Sequence, residues 1–155
     1  MSDELDNESD HAHRDAQAAS KGCVVLVPEP DELFVDLDTE HAVKCFARGL
    51  EIIASCNPGL VIASNVRPSP SGILFRSHGF VRLSRPVKDD VERILLQAML
   101  GSDPIREILS WRRIQLGIDE PTVFFEKPDA PHHWQAQIAK IQAVLDADQE
   151  EQVEF

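Results

Sequence analysis

Leu33-Phe34-Val35-Asp36-Leu37-Asp38 is the stretch on which the fold turns. It is apolar apart from its two aspartates and reads as a β-strand. A period of two puts Leu33, Val35 and Leu37 on one face and Phe34, Asp36 and Asp38 on the other. Thr39 or Asp38 can N-cap the helix that follows. In that helix Val43, Phe46, Leu50 and Ile53 recur at spacings of 3, 4 and 3 and form one apolar stripe. The breaker cluster Asn57-Pro58-Gly59 ends it.

Downstream, Leu60 to Val66 reads as a second strand and Arg67-Pro-Ser-Pro-Ser-Gly72 as a turn. Ile73 to Leu83 is a third strand, antiparallel to the second and interrupted around Ser77-His78-Gly79. Pro86 with Asp89 or Asp90 opens a helix whose stripe is Val91, Ile94, Leu95, Ala98 and Met99, with Gly101 as its C′ residue. Asp103-Pro104 supplies an N-cap followed by proline at N1. Ile105, Ile108, Leu109, Arg112 and Leu116 line the helix that follows, and Gly117 ends it. Thr122 to Phe125 is a fourth, short strand, and Val24 to Val27 is a short edge strand or part of the docking of the N-terminal segment. This order predicts an α+β fold of the ferredoxin-like or RRM-like βαββαβ type. Its antiparallel sheet would carry helices on one face. The other face would be open, or covered by a C-terminal amphipathic helix bearing Trp134, Ile138, Ile141 and Leu145.

Charge divides the 155 residues into three parts. The whole chain carries 15 Lys+Arg and 27 Asp+Glu, a net charge of −12. Residues 1–22 hold six acids and two bases with almost no large apolar residue, and read as a disordered acidic tail. Residues 23–127 form the α+β core, and 128–155 a linker and the amphipathic helix with its acidic end. Two thirds of the negative charge lies in residues 1–22 and 127–155, so the core is only mildly acidic. The acidic balance argues against a charge-driven nucleic-acid binder. With no run of about 18 apolar residues, no membrane span is expected, and no signal peptide is visible. The three cysteines, Cys23, Cys45 and Cys56, lack metal spacing and are odd in number, which points to a reduced, cytoplasmic setting.

Asp36 and Asp38, at i and i+2, project from one face with their Cα atoms about 7 Å apart. Two such carboxylates repel one another when ionised and favour a divalent cation between them. Oxygen-only ligation suits Mg2+ or Mn2+, and such ions can hold a triphosphate and activate a hydroxyl. The plainer reading is that Asp38 caps the helix and Asp36 sits at a solvated strand end. Ser69-Pro-Ser71-Gly72 feeds a strand that carries His78, and on a regular strand His78, Phe80 and Arg82 share a face. Arg67, Arg76, Arg82 and Arg85 lie on the hairpin, and Arg106, Arg112 and Arg113 on the second of the middle helices. Guanidinium forks suit phosphate oxygens. Asp103 is either a third metal carboxylate or simply the cap of its helix.

Taken in order, Asp36-x-Asp38 after an apolar strand, a Ser/Gly turn before His78, and Asp103 followed by arginines resemble the catalytic core of archaeo-eukaryotic primases and primase-polymerases over residues 32–126. Leu100-Gly-Ser-Asp-Pro-Ile-Arg106 also resembles a segment of small phage and prokaryotic proteins that have not been characterised. The first resemblance implies an RRM-like catalytic half acting in DNA replication. In it Asp36, Asp38 and Asp103 bind metal, His78 contacts the nucleotide, and Ser71, Gly72, Arg82, Arg106 and Arg113 form the nucleotide pocket. Two other functions stay open. One is a non-catalytic interaction protein whose helix with Trp134, Ile138, Ile141 and Leu145 binds a protein partner or a second copy. The other is a nucleic-acid-binding module stacking bases on Phe34, Phe75 and Phe80.

Overall fold

The computed structural model describes residues 2–128. In chain order its elements are α1 (Ser2–Ser20), β1 (Val24–Leu26), β2 (Glu32–Leu37), α2 (Glu40–Cys56), β3 (Val61–Pro68), β4 (Ser77–Leu83), α3 (Asp90–Met99), α4 (Pro104–Gln115) and β5 (Phe124–Glu126). This is an α+β fold, with a three-stranded antiparallel sheet in the order β2-β4-β3 and a two-stranded antiparallel ribbon of β1 and β5. The linker and the C-terminal helix with Trp134, Ile138, Ile141 and Leu145 lie outside the described residues, apart from the start of the linker.

The alternation in 33–37 folds as read. Leu33, Val35 and Leu37 join Val81, Leu83, Phe46, Ile53 and Leu100 in one core, and Phe34 joins Phe80 and Phe124 in a second core on the opposite face. Thr39, not Asp38, caps α2, its Oγ1 accepting from the Ala42 N–H at 3.0 Å. Gly79 lets α2 settle on the middle strand, because a Cβ there would lie 3.1 Å from the Phe46 ring.

The fourth strand does not join the sheet. β5 pairs with β1 instead, and the ribbon covers part of the sheet's second face by stacking Phe124 on Phe34, with ring centroids 4.9 Å apart. The outer edge of β2, where a further strand would add, is already closed. Arg93 Nε donates to the Glu32 carbonyl, the Phe34 N–H donates to Gln97 Oε1, and Arg106 Nη1 donates to the Phe34 carbonyl. The Asp36 N–H donates to Ser102 Oγ, and the Asp103 N–H donates to the Asp36 carbonyl. Groups from α3, α4 and the turn between them thus do the work of a neighbouring strand.

That role inverts both helices. The stripes expected to face the core lie mostly outside: Val91, Leu95 and Met99 on α3, and Ile105, Ile108, Leu109 and Leu116 along α4, are exposed. Arg93 and Gln97 of α3 and Glu107 and Ser110 of α4 are buried. Periodicity located the stripes but could not say which side faces inward, because the inner partner is a hydrogen-bonding strand edge.

The N-terminal segment also differs from expectation. It is a helix over Ser2–Ser20, held mainly by polar contacts that a count of apolar residues cannot register. Arg14, 4% exposed, donates to the Glu120 carbonyl at 2.6 Å, and Asn7 exchanges hydrogen bonds with Asp119 through its side-chain amide. Ala18 is buried.

Candidate metal and phosphate site

Strand register sets out the site. On the second face of the sheet, Asp36 of β2 lies opposite His78 of β4, which lies opposite Arg67 of β3. Asp38 follows at the end of β2, released from capping by Thr39. Asp103 heads α4, where its Oδ1 accepts from the Ile105 N–H at 3.3 Å. Its own N–H reaches the Asp36 carbonyl at 2.8 Å, and this bond brings the third acid to the first two. Carboxylate oxygens of Asp36, Asp38 and Asp103 all lie within 4.8 Å of one another.

The electrostatics follow from this crowding. Burial, and then the neighbouring Asp38 charge, push the Asp36 carboxyl above its ordinary range, while Arg106 and His78 pull it back. Burial draws the Arg106 guanidinium below its ordinary value, opposed by Glu107 and Asp36. Arg76 Nε stands 3.8 Å from Asp38 Oδ1.

His78 is held by a carboxylate and by a stacked ring. Its Nδ1 lies 2.6 Å from Glu126 Oε1, which also meets Arg67 Nη2 at 3.2 Å. Its ring stacks on Phe124 with centroids 3.8 Å apart and planes 3° from parallel. The ring N–H donates to the carboxylate through Nδ1, which leaves Nε2 for a ligand. A cleft of about 600 Å³ opens here, lined by Asp36, Asp38, Ser71, Arg76, His78 and Arg106 among others. That volume is in the range of small-molecule sites.

Of the residues expected in the site, Asp36, Asp38 and Asp103 converge, and His78 and Ser71 share the cleft with the first two. Arg106 lines it too, but its guanidinium is engaged by the Phe34 carbonyl, Glu107, Ser102 and the Val123 carbonyl, so it holds the fold around the site. Arg82 is paired with Asp31 at 3.0 Å on the far part of the strand. Arg113 points to Asp10 of α1 at 3.9 Å. Gly72 is exposed in the hairpin loop and is not among the lining residues. None of these three serves the cleft as expected: strand parity and helix phase place charges on faces, but their nearest acids decide where they point. Glu126 and Phe124 were missed, because the ribbon brings them to His78 across 48 residues of sequence. Lys21, after α1, also lines the cleft.

All three cysteines are free, and among the described residues no helix is long and apolar enough to cross a membrane. Comparison with models of known protein families, with curated proteins and with solved structures finds no match to this chain.

Proposed function

We propose that this chain is a primase-like domain in which Asp36, Asp38 and Asp103 hold a divalent cation, Mg2+ or Mn2+, and the adjoining cleft takes a nucleotide. The observation that carries this reading is the convergence of three carboxylates from two elements about 65 residues apart in sequence, beside an oriented histidine. The donors are oxygens alone, and the Asp36 carboxyl, raised first by burial and then by the Asp38 charge, stands where a cation would offset that charge. A cation bound here would polarise a phosphoryl oxygen and offset its charge. Asp36, Asp38 and Asp103 position it, His78 offers Nε2 to a phosphate or sugar oxygen, and Arg76 supplies positive charge at the cleft wall. The strand order β2-β4-β3 agrees with the first three strands of the ferredoxin-like or RRM-like pattern, while groups from α3 and α4 close the β2 edge where the fourth would add.

Calorimetric titration of the full chain with Mn2+, followed by nucleoside triphosphate with and without Mn2+, tests this. Saturable Mn2+ binding and metal-dependent nucleotide binding are expected. Both should be lost in Asp36→Asn with Asp38→Asn and kept in Arg82→Ala. Binding unchanged in the double variant removes the assignment. A second reading, an interaction protein on the same fold, is favoured by the exposed apolar faces of α3 and α4.

A further inference from the structure

We infer that Glu126 is a positioning residue that makes His78 the reader of a ligand hydroxyl, so that the cleft selects a nucleotide by its sugar; this rests on the reading of Asp36, Asp38 and Asp103 as the cation site that holds the phosphates. His78 is 7% exposed and Glu126 4%, and their side chains meet at 2.6 Å. An ionised carboxylate only accepts, so the proton in that bond belongs to Nδ1. Arg67 Nη2, 3.2 Å from the same Glu126 oxygen, supplies the positive charge that balances the carboxylate. The ring therefore enters as the neutral imidazole, with its one proton on Nδ1 and a lone pair on Nε2. Stacking on Phe124 fixes the plane of the ring, and the bond to Glu126 fixes which nitrogen lies where in that plane.

Such an Nε2 is an acceptor and pairs with a group that carries a proton. An ionised phosphate oxygen also only accepts, and two acceptors do not pair. The proton-bearing oxygens of a nucleotide are its sugar hydroxyls. Their place fits, because His78 lies directly opposite Asp36 across β2 and β4. Side chains paired in this way stand about 4.5–5.5 Å apart at Cβ. With phosphates at the carboxylate end, the group next along is the sugar, and the base with its own N–H groups lies a ring further away. Arg76 and Lys21, which also line the cleft, can only donate and suit the phosphates. A site that holds a hydroxyl in this way rejects the analogue that lacks it, since a buried acceptor would be left unpaired.

The test is calorimetric titration of the full chain, with Mn2+ present, by ATP, 2′-deoxy-ATP and 3′-deoxy-ATP, while nitrogen NMR follows the His78 ring. The wild type is expected to bind one of the two deoxy analogues about tenfold more weakly than ATP, the equivalent of about one hydrogen bond. His78→Phe, which keeps a ring to stack on Phe124, should bind all three alike. In the wild-type spectrum at neutral pH, Nδ1 should be protonated and Nε2 bare. Glu126→Gln, whose amide can accept or donate, should show both tautomers and a smaller preference among the nucleotides. A merely structural Glu126 would leave the tautomer unmoved. Equal affinity of the wild type for all three nucleotides overturns the inference. So does an imidazolium in the wild-type spectrum, which would assign His78 to a phosphate oxygen instead. Both are read on the wild type, so a variant that fails to fold leaves the test decisive. A wild type that takes up no Mn2+ overturns the cation site and the hydroxyl reader together, whereas one that binds Mn2+ and ATP without discriminating the analogues overturns the hydroxyl reader alone.

Discussion

Glu107→Ala should cost the protein a large part of its stability. The Glu107 carboxylate is 4% exposed. It accepts from Ser102 Oγ at 2.7 Å, from Arg106 Nη1 at 2.7 Å, and from Gln97 Nε2 at 3.1 and 3.2 Å. The same three side chains close the edge of β2. Alanine strips one acceptor from three donors at once. A buried donor left unsatisfied costs about 1–3 kcal/mol, and removing one member of a buried ion pair costs about 3–5 kcal/mol. These losses overlap, because Arg106 keeps the Phe34 carbonyl and Gln97 keeps the Phe34 N–H. The expected loss is therefore about 4 kcal/mol rather than the sum. With a urea slope of about 2 kcal/mol/M, the unfolding midpoint falls by about 2 M. Glu107→Gln retains one acceptor oxygen and should fall about half as far. Glu51→Gln, which removes an exposed pairing with Arg48, should stay within about 0.5 kcal/mol. A midpoint shift for Glu107→Ala below about 0.5 M at unchanged slope would refute the idea that this carboxylate organises the strand edge.

Other outcomes follow from the same contacts. Asp36 has its carboxyl raised above 3.8 by burial and by Asp38, so it favours the fold while protonated. That contribution is full below 3.8 and is lost as pH rises through the folded value. Asp36→Asn should therefore melt higher than wild type at neutral pH without metal, and an equal or lower melting temperature counts against the crowding. At a hundredfold excess over its Kd, Mn2+ should add about 2.7 kcal/mol to the wild type and nothing to this variant. Gly101 has φ +85°, and a Cβ there would meet Cys45 Cβ at 3.1 Å. Gly101→Ala should cost about 1–2 kcal/mol by chemical denaturation and weaken Mn2+ binding by displacing Asp103. Hydrogen bonds from Arg85, then from the Lys88 N–H, hold Glu92 at about 2 against an ordinary 4.5. The small stabilisation from this exposed group is present above 4.5 and is lost as pH falls toward 2, so thermal melts of wild type and Glu92→Gln should converge there.

What the sequence made legible was local. The alternation of 33–37 needed only a period of two to separate Leu33, Val35 and Leu37 from Phe34 and Asp36, and the N-caps were legible as Asp103 and as one of two neighbours elsewhere, which the structure resolves to Thr39 over Asp38 and Asp89 over Asp90. The metal-type acids were legible as a pair, and Asp103 as a candidate, because an Asp-Pro helix start fixes its place in the chain. What stayed hidden depends on partners distant in sequence. Arg14 orders an acidic helix by finding the Glu120 carbonyl. Arg82 leaves the site for Asp31. Gln97 and Glu107 turn inward because a strand edge needs donors and acceptors more than it needs leucines. Amphipathic spacing shows that a helix has two sides, while the inner side is chosen by whatever it meets.

The closed edge of β2 also bears on how the sheet behaves toward foreign chains. An open strand edge recruits extended segments, whether from a peptide or from a misfolded copy. Here an invading strand would have to break bonds to Arg93, Gln97, Ser102, Arg106 and the Asp103 amide before it gained any of its own. The bond it would break at Asp103 is the one that carries that carboxylate to Asp36. One set of hydrogen bonds thus guards the sheet against aggregation and keeps the acids assembled, so damage to either property should surface in the other.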